Sequence, residues 1–110
     1  MKIEHRIRKP LDFRKAYKEG RRFLSARFVL YVRRTGLPYA RIGVAIAKRH
    51  VKLATRRNRL RRVAKESFRK GMLSRGRGYD FVVTSRAGRR GSDIKQEARE
   101  LRGLVLGQRQ

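Results

Sequence analysis

The side chains best suited to chemistry are the basic ones in the stretch Ala47–Lys70, AKRHVKLATRRNRLRRVAKESFRK. Within it the run Arg56–Arg62 contains five arginines, whereas Glu66 is the only acid in the whole stretch. Like charges one helical turn apart weaken an isolated helix by about 0.2–0.5 kcal/mol per pair. A chain that accumulates such pairs therefore indicates a polyanionic partner that neutralises them, rather than a solvated face of mixed charge.

Apolar residues recur at helical spacing through the same stretch, which predicts a helix docked on a core rather than a disordered basic tail. At about 100° per residue, one face of this helix contains Leu60, Val63, Ala64 and Phe68. The opposite face contains Asn58, Arg62, Lys65 and Arg69, and the border between the two contains Arg57 and Arg61. The pattern predicts a helix that contacts the protein core with one side and an anion with the other.

The groups needed for catalysis by the protein itself are sparse. Hydrolysis by two metal ions needs carboxylates that converge on cations about 4 Å apart, yet the eight acids are scattered, with no close pair on one predicted element outside the closing helix. The two histidines, His5 in a flexible start and His50 before the arginine-rich helix, are more typical of phosphate contacts than of an acid–base pair. No phosphate-binding glycine loop is present. The sequence therefore favours a binding protein with no catalytic residues of its own.

Composition indicates the class of partner. The chain has 110 residues, which fit one domain spanning 1–110, and 33 Lys and Arg against 8 Asp and Glu give a net charge of +25. This excess matches a nucleic-acid binder. No apolar run approaches the ~18 residues of a membrane span, and the lack of cysteine excludes disulfides and is compatible with the cytoplasm. We therefore expect a soluble nucleic-acid-binding domain without a membrane partner.

The first half of the chain predicts one helix and three strands. A proline at the first turn and a glycine just beyond the end bound a short helix, Pro10–Glu19. A turn at Ser25–Ala26 separates a short strand from a longer one at Arg27–Arg34, and a third strand spans Arg41–Ala47.

Three aromatic residues are candidates for contacts with bases. Phe13 and Tyr17 are i, i+4 neighbours on the first helix, and the sequence leaves core packing and base stacking equally open for them. Tyr31 lies between two arginines on the face of the long strand that is opposite its core residues. The small residues on one side of the third strand are Gly43, Ala45 and Ala47. We expect them to form a shallow floor bordered by Tyr31, beside the arginine-rich helix.

The second half adds a strand and a closing helix. Glycines punctuate the loop Gly71–Gly78, the last strand spans Tyr79–Arg86, and a turn at Ala87–Gly91 follows. Ser92 is the expected cap of the closing helix. The predicted core stripe of this helix contains Ile94, Ala98, Leu101 and Val105, and its predicted outer face contains Asp93, Glu97 and Glu100. The order αβββαβα predicts an α+β fold, a single-domain α-β sandwich of one sheet with helices.

The pattern favours RNA or a single strand over duplex DNA. Arginines spread around much of a helix bind a backbone, whereas a major-groove reader exposes a few base-reading residues at its N-terminal end. A face with a tyrosine and small residues suits unpaired bases. We therefore expect no DNA partner.

One long segment, AKRHVKLATRRNRLRRVAKESFR, resembles the RNR signature of the bacterial ribonuclease P protein subunit. The similarity extends in order to PLDFRKAYKEG, FVLYV, RIGVAIAK and YDFVV and covers nearly the whole chain. It implies an α-β sandwich whose arginine-rich helix forms a left-handed βαβ crossover, against the general preference for right-handed ones. It also implies a protein that assists a catalytic RNA in removing the 5′ leader of precursor tRNA, with Mg²⁺ held mainly by the RNA.

Residue by residue, the resemblance implies two groups of RNA contacts. Contacts with the catalytic RNA fall on Arg56, Arg57, Asn58, Arg59, Arg62 and Arg69. Contacts with the leader of precursor tRNA fall on Phe13, Tyr17, Tyr31, Lys48, Arg61 and Lys65. Two positions depart from common family residues: Tyr17, where some members have phenylalanine, and Lys65, where arginine is common and the planar fork is lost. One protein per catalytic RNA, a cytoplasmic location and no tightly bound metal on the protein are further implications.

Two other classes of protein share some of these features. A basic ribosomal or RNA-structural protein has the same size and charge but does not recognise a leader. A self-sufficient ribonuclease hydrolyses RNA without an RNA partner.

Overall fold

The computed structural model describes residues 2–87 and 93–107. In this part of the chain the helices are α1 (Pro10–Glu19), α2 (Ala54–Gly71) and α3 (Ile94–Leu106), and a short 3₁₀ turn spans Ile3–His5. The strands are β1 (Arg21–Leu24), β2 (Phe28–Arg34), β3 (Arg41–Ala45) and β4 (Tyr79–Ser85). The predicted α+β class and the order αβββαβα are confirmed. None of the helices within these two ranges combines the length and hydropathy that crossing a membrane requires.

The strands form one sheet in the order β1-β2-β4-β3. β2 pairs antiparallel with both β1 and β4, whereas β3 and β4 are parallel. Neighbouring parallel strands need a crossover connection, and α2 supplies it between the end of β3 and the start of β4. The left-handed sense of this crossover stays a prediction.

The main core lies between one face of the sheet and the helices α2 and α3. Alternate residues of each strand point to this side, as the two-residue period of a strand requires. The buried strand residues are Phe28, Leu30, Val32, Ile42, Phe81 and Val83, and the buried helix residues are Leu60, Ala64, Phe68, Leu101 and Val105. The predicted apolar stripes of both helices are therefore confirmed, with Val63 and Ile94 only partly buried at the margin of the core.

The opposite face of the sheet is covered by α1. The small cluster on this side consists of Ile7, Ala16 and Val82, with Phe13 and Tyr31 packed against it. A Cβ added at Gly43 would lie only 2.8 Å from the Phe13 ring, so this ring fills the space above the glycine. The expected open floor is therefore wrong at Gly43. The apolar side of α2 packs on the other face of the sheet, and the expectation that the floor lies beside α2 stays a prediction.

The segment between β3 and α2 differs from the predicted strand end. β3 ends at Ala45 rather than Ala47, because the Ala47 N–H donates to the Ser85 hydroxyl oxygen at 2.8 Å instead of to a backbone carbonyl of β4. A turn follows in which the Val51 N–H donates to the Ala47 carbonyl at 3.0 Å. α2 then begins at Ala54, so residues 48–52, which are basic except for Val51, lie in a loop.

The start of α3 differs from the predicted cap. Asp93 is the N-cap residue: its carboxylate accepts a hydrogen bond from the Gln96 N–H, and the Gln96 side chain accepts one from the Asp93 N–H. This reciprocal arrangement is a capping box. The predicted cap, Ser92, and most of the predicted turn before it lie outside the described residues.

Two acids of α3 face the protein rather than solvent. Arg56 donates from Nε to Glu97 Oε1 at 2.7 Å, and Glu97 is buried. Arg27 donates to Glu100 from its Nη1 and from its backbone N–H, each at 2.7 Å. The predicted outer face is therefore wrong for Glu97 and Glu100. Helical spacing places both acids on one side of α3 but does not show that α2 and the turn before β2 bring arginines to that side.

Candidate nucleic-acid interface

The outer face of α2 presents a row of cations along a shallow groove. The groove has a volume of about 400 Å³ and is lined by Asn58, Arg61, Arg62, Lys65, Glu66 and Arg69. Arg59 and Arg62 are exposed and have no hydrogen-bond or ion-pair partner within residues 2–87 and 93–107. Arg61 differs, because its Nη1 donates to Asn58 Oδ1 at 2.8 Å. Exposed guanidinium groups without a partner are free to form paired hydrogen bonds with phosphate oxygens.

The first two arginines of the run bond within the chain. Arg56 pairs with Glu97 and so joins α2 to α3. Arg57 donates from Nη1 to the carbonyls of Val51 and Lys52, at 2.9 and 2.8 Å, and so holds the loop that precedes α2. These contacts orient the start of α2. Their assignment to the catalytic RNA stays a prediction.

Three cations meet where the amino-terminal segment approaches α2. Burial lowers the pKa of Lys65 below its ordinary value, and the positive charges of Arg6 and Arg61 lower it further. Arg6 reaches this place because its segment extends the sheet beside β3: Arg6 bridges to Ile42 in parallel, and the Ile7 N–H donates to the Ile42 carbonyl at 2.9 Å. Nothing in the local sequence predicts this pairing, so Arg6 was missed. An anion bound here would relieve the repulsion among the three charges.

The three predicted aromatic residues form one cluster between α1 and the sheet. The rings of Tyr17 and Tyr31 meet edge to face with centroids 5.1 Å apart, and those of Phe13 and Tyr17 lie 6.4 Å apart. Phe13 and Tyr31 are half-buried, whereas Tyr17 is 39% exposed. Burial raises the pKa of the Tyr17 phenol, with a further contribution from Tyr31. Phe13 packs against the core of this face, whereas Tyr17 lies at the solvent-facing edge of the cluster. Base stacking by either ring stays a prediction.

Ion pairs at both ends of α1 hold the helix against the sheet. Near the start of the helix, Asp12 lies 3.5 Å from Arg41 on β3. At its last residue, Glu19 accepts a hydrogen bond from Arg33 on β2 at 3.0 Å. Contacts to two different strands therefore fix the position of α1.

The loop that contains Lys48 and His50 is fixed to the end of β4. Arg49 donates from Nε to His50 Nε2 at 3.4 Å, and His50 Nδ1 forms a hydrogen bond with the Ser85 hydroxyl at 2.8 Å. Lys48 is exposed and has no hydrogen-bond or ion-pair partner in the described part of the chain. His50 thus positions a loop that presents Lys48 to solvent.

Comparison with known families decides the assignment. Residues 1–107 match the family model described as Ribonuclease P. The chain belongs to this family. Its relatives include the ribonuclease P protein component of Clostridium acetobutylicum, 35% identical over 94% of this chain and 92% of the relative. That of Clostridioides difficile is 33% identical over 90% of this chain and 87% of the relative. The structure of Staphylococcus aureus RNase P protein is similar with a TM-score of 0.75 and 25% identity over 92% of each chain.

Membership of the ribonuclease P family confirms the resemblance seen in the RNR segment. The family is a component of ribonuclease P, which implies an RNA partner. Ribonuclease P relatives match nearly the full length of the chain, so the similarity includes α1 and the sheet as well as α2. The division of residues between catalytic RNA and leader stays a prediction.

Proposed function

We propose that the chain is the protein subunit of a ribonuclease P that binds both the catalytic RNA and the single-stranded 5′ leader of precursor tRNA. The observation that carries the proposal is the aromatic cluster of Phe13, Tyr17 and Tyr31, in which the Tyr17 ring is 39% exposed. A protein that only neutralises RNA needs no such exposed aromatic cluster. This cluster therefore favours leader recognition over the role of a basic ribosomal or RNA-structural protein.

The outer face of α2 is the proposed contact with the catalytic RNA. Arg59 and Arg62 offer guanidinium groups that are free within the described part of the chain, and Asn58 and Arg69 line the groove beside them. Arg56 and Arg57 belong to the same predicted set, but their guanidinium groups already bond to Glu97 and to backbone carbonyls. We assign these two arginines to shaping the surface and the four other residues to binding RNA phosphates and sugars.

The aromatic cluster beside α1 is the proposed contact with the leader. Unpaired bases stack on aromatic rings whatever their sequence, and in this chain Tyr17 and Tyr31 are the rings proposed to stack. The predicted partners of the leader phosphates are Lys48, Arg61 and Lys65. Arg61 and Lys65 lie near Arg6, so a phosphate bound there also lowers the mutual repulsion of these three cations.

Hydrolysis belongs to the RNA in this proposal. The catalytic RNA cleaves with Mg²⁺ ions that it holds, and the tRNA keeps the 5′-phosphate. No group of three or more His, Cys, Asp or Glu residues suited to a metal ion occurs within residues 2–87 and 93–107. We propose no catalytic or metal-binding residue on the protein. One chain per catalytic RNA and a cytoplasmic location are further parts of the proposal.

The experiment that tests the proposal is cleavage of precursor tRNA by a bacterial ribonuclease P RNA at low Mg²⁺, with and without the chain. We expect the chain to restore cleavage, and to do so more for a precursor with a long leader than for one with a single-nucleotide leader. Equal stimulation of both precursors would support the RNA-structural alternative. The chain alone should not cleave; site-specific cleavage that disappears with His50→Ala would instead indicate a self-sufficient ribonuclease.

A further inference from the structure

A second basic depression lies at the C-terminal end of α2, separate from the groove along its outer face. This terminal pocket has a volume of about 420 Å³, and the residues lining it include His5, Tyr39, Arg69, Lys70 and Arg77. No acid lines it. Two acids pair with residues of its rim but are themselves half exposed: Glu66, 3.7 Å from Arg69, and Glu4, 3.9 Å from His5.

Backbone contacts fix the loops that build the terminal pocket. The Gly78 N–H donates to the Tyr39 carbonyl at 3.3 Å, which joins the loop after α2 to the turn before β3. Gly78 has a φ of +84°, a conformation that glycine adopts without strain. A Cβ at Gly76 would lie 2.6 Å from the Phe81 ring. Gly76 and Gly78 therefore both determine the conformation of the loop segment Arg75–Gly78 (RGRG), and Arg77 is held between them at the pocket.

The imidazole of His5 is held in one orientation rather than lying in a flexible start. Its Nδ1 lies 2.8 Å from the Ala40 carbonyl oxygen, which can only accept, so Nδ1 bears a proton. The ring also meets Tyr39 edge to face with centroids 5.7 Å apart, and the side chain is only 14% exposed. Nε2 is the remaining polar atom of the ring. It accepts from a ribose hydroxyl when the imidazole is neutral and donates to a phosphate when it is protonated.

We propose that the terminal pocket binds a phosphodiester of RNA, as a second site that continues the outer face of α2. Arg69 lines both depressions, and α2 advances about 17 Å from Asn58 to Arg69. An RNA strand that follows this face therefore reaches the terminal pocket directly beyond Arg69. There Lys70 and Arg77, which have no hydrogen-bond or ion-pair partner within the two described ranges, neutralise the phosphate. This inference rests on the proposed function, since it requires that α2 binds RNA.

The test compares Arg77→Gln with the matched control Arg75→Gln. Both substitutions remove one charge from the same loop and both arginines are exposed, but Arg75 does not line the terminal pocket. Binding of each full chain to ribonuclease P RNA is measured across a series of KCl concentrations. Binding of the assembled enzyme to precursor and mature tRNA is measured in the same series. We expect Arg77→Gln to lower the salt slope by about one unit, the effect of one lost phosphate contact, and Arg75→Gln to leave it unchanged.

The measurements with ribonuclease P RNA and with tRNA show which of the two RNAs supplies the phosphate. A lower slope with ribonuclease P RNA assigns the phosphate to that RNA, and a lower slope only in tRNA binding assigns it to the tRNA; both support the site. Equal slopes for Arg77→Gln and Arg75→Gln, with normal binding by the unmodified chain, overturn this inference alone. If the unmodified chain does not bind ribonuclease P RNA, the proposed function and this inference both fail. Lys70→Gln, on α2 instead of the loop, replaces Arg77→Gln if the latter changes the circular dichroism spectrum.

Discussion

Arg41 donates two hydrogen bonds to the carboxylate of Asp80, from Nε at 2.8 Å and from Nη2 at 2.6 Å. The two residues occupy paired positions on the parallel strands β3 and β4, and Asp80 is completely buried. The hydrogen bonds with Asp80 are the main reason that the pKa of Arg41 lies above its ordinary value. The same guanidinium also approaches Asp12 at 3.5 Å. This pair therefore connects the centre of the sheet to α1, the helix that contains Phe13 and Tyr17.

Removing the charge of Asp80 should destabilise the fold. We expect Asp80→Asn to lower the free energy of unfolding by about 3–5 kcal/mol, the usual cost of removing one partner from a buried ion pair. Urea unfolding at pH 7 measures this change. The control is Glu19→Gln, because Glu19 also pairs with an arginine of the sheet but is 54% exposed. The expected loss of unfolding free energy for Glu19→Gln is below about 1 kcal/mol. Equal losses for the two variants would contradict the prediction that burial makes the Asp80 ion pair the more costly one to break.

Removing the Tyr17 ring should weaken binding of the leader. Base stacking on an aromatic ring contributes about 1–3 kcal/mol, so Tyr17→Ala should reduce the affinity of the assembled enzyme for precursor tRNA by this amount and leave mature tRNA binding unchanged. Tyr17 is a better choice than Tyr31, whose half-buried ring also packs against the cluster below α1. Leu11→Ala, a somewhat more exposed apolar position on the same helix, is the control. Equal loss of both tRNAs would show that the ring does not contact the leader.

Substitution of Arg62 should weaken RNA binding, whereas substitution of Arg57 should lower the stability of the fold. Arg62→Gln should lower the salt slope for ribonuclease P RNA by about one unit without changing stability, because its guanidinium has no partner in the described part of the chain. Arg57→Ala should lower the free energy of unfolding by roughly 1–3 kcal/mol, since it leaves the carbonyls of Val51 and Lys52 without their donor. RNA titrations in KCl and urea unfolding, applied to both variants, measure the two effects. A loss of stability with Arg62→Gln would contradict the prediction that Arg62 binds RNA without holding the fold together.

Glu100 should contribute stability that depends on pH. Burial alone would raise its pKa, but hydrogen bonds from Ser25 and Arg27 outweigh burial and hold the pKa below the ordinary value of 4.5. A pKa that is lower in the folded state stabilises the protein above the unfolded value, and this stability is lost as the pH falls through the folded value. Glu100→Gln should therefore cost about 1.5–3 kcal/mol at pH 7 and progressively less below about pH 4.

Urea unfolding of the Glu100→Gln variant and of the unmodified chain at pH 7 and pH 3 measures this difference. The control is Glu66→Gln, because Glu66 is exposed and only 3.7 Å from Arg69 in a surface pair. We expect that control to change little at either pH. A cost for Glu100→Gln that is the same at pH 3 as at pH 7 would mean that its ionisation is not coupled to folding.

Sulfate should stabilise the chain through the cations beside Lys65. Anions that bind the folded state raise its melting temperature by mass action, and Arg6, Arg61 and Lys65 repel one another until an anion binds. We expect sulfate to raise the melting temperature more than chloride at equal ionic strength. Sulfate also strengthens burial of apolar groups in general. The decisive measurement is therefore the rise in melting temperature that sulfate causes in Lys65→Gln, compared with the rise in Lys95→Gln, a substitution at an exposed position on α3. An identical sulfate response in both variants would show that no specific site exists at Lys65.

The sequence by itself determined the elements, their order and the family. Helical spacing of Leu60, Ala64 and Phe68 and the alternation along β2 both predict which side of an element is apolar, and burial follows that side. Errors at this level are limited to element ends, such as β3, whose last predicted residue donates to the Ser85 side chain. Local periodicity suffices here because each element must bury its own apolar face wherever the others lie.

Only the tertiary structure decided the partners of the charged and aromatic groups. Glu97 faces Arg56, 41 positions away, and Arg41 bonds Asp80, 39 positions away, although an acid or an arginine in a sequence fits a solvated surface equally well. The Phe13 ring fills the space above Gly43 because α1 packs against this face of the sheet. Such contacts depend on how elements that are distant in sequence pack against one another, so no local sequence pattern predicts them. They decide which arginines are free to bind RNA and which ones hold the fold together.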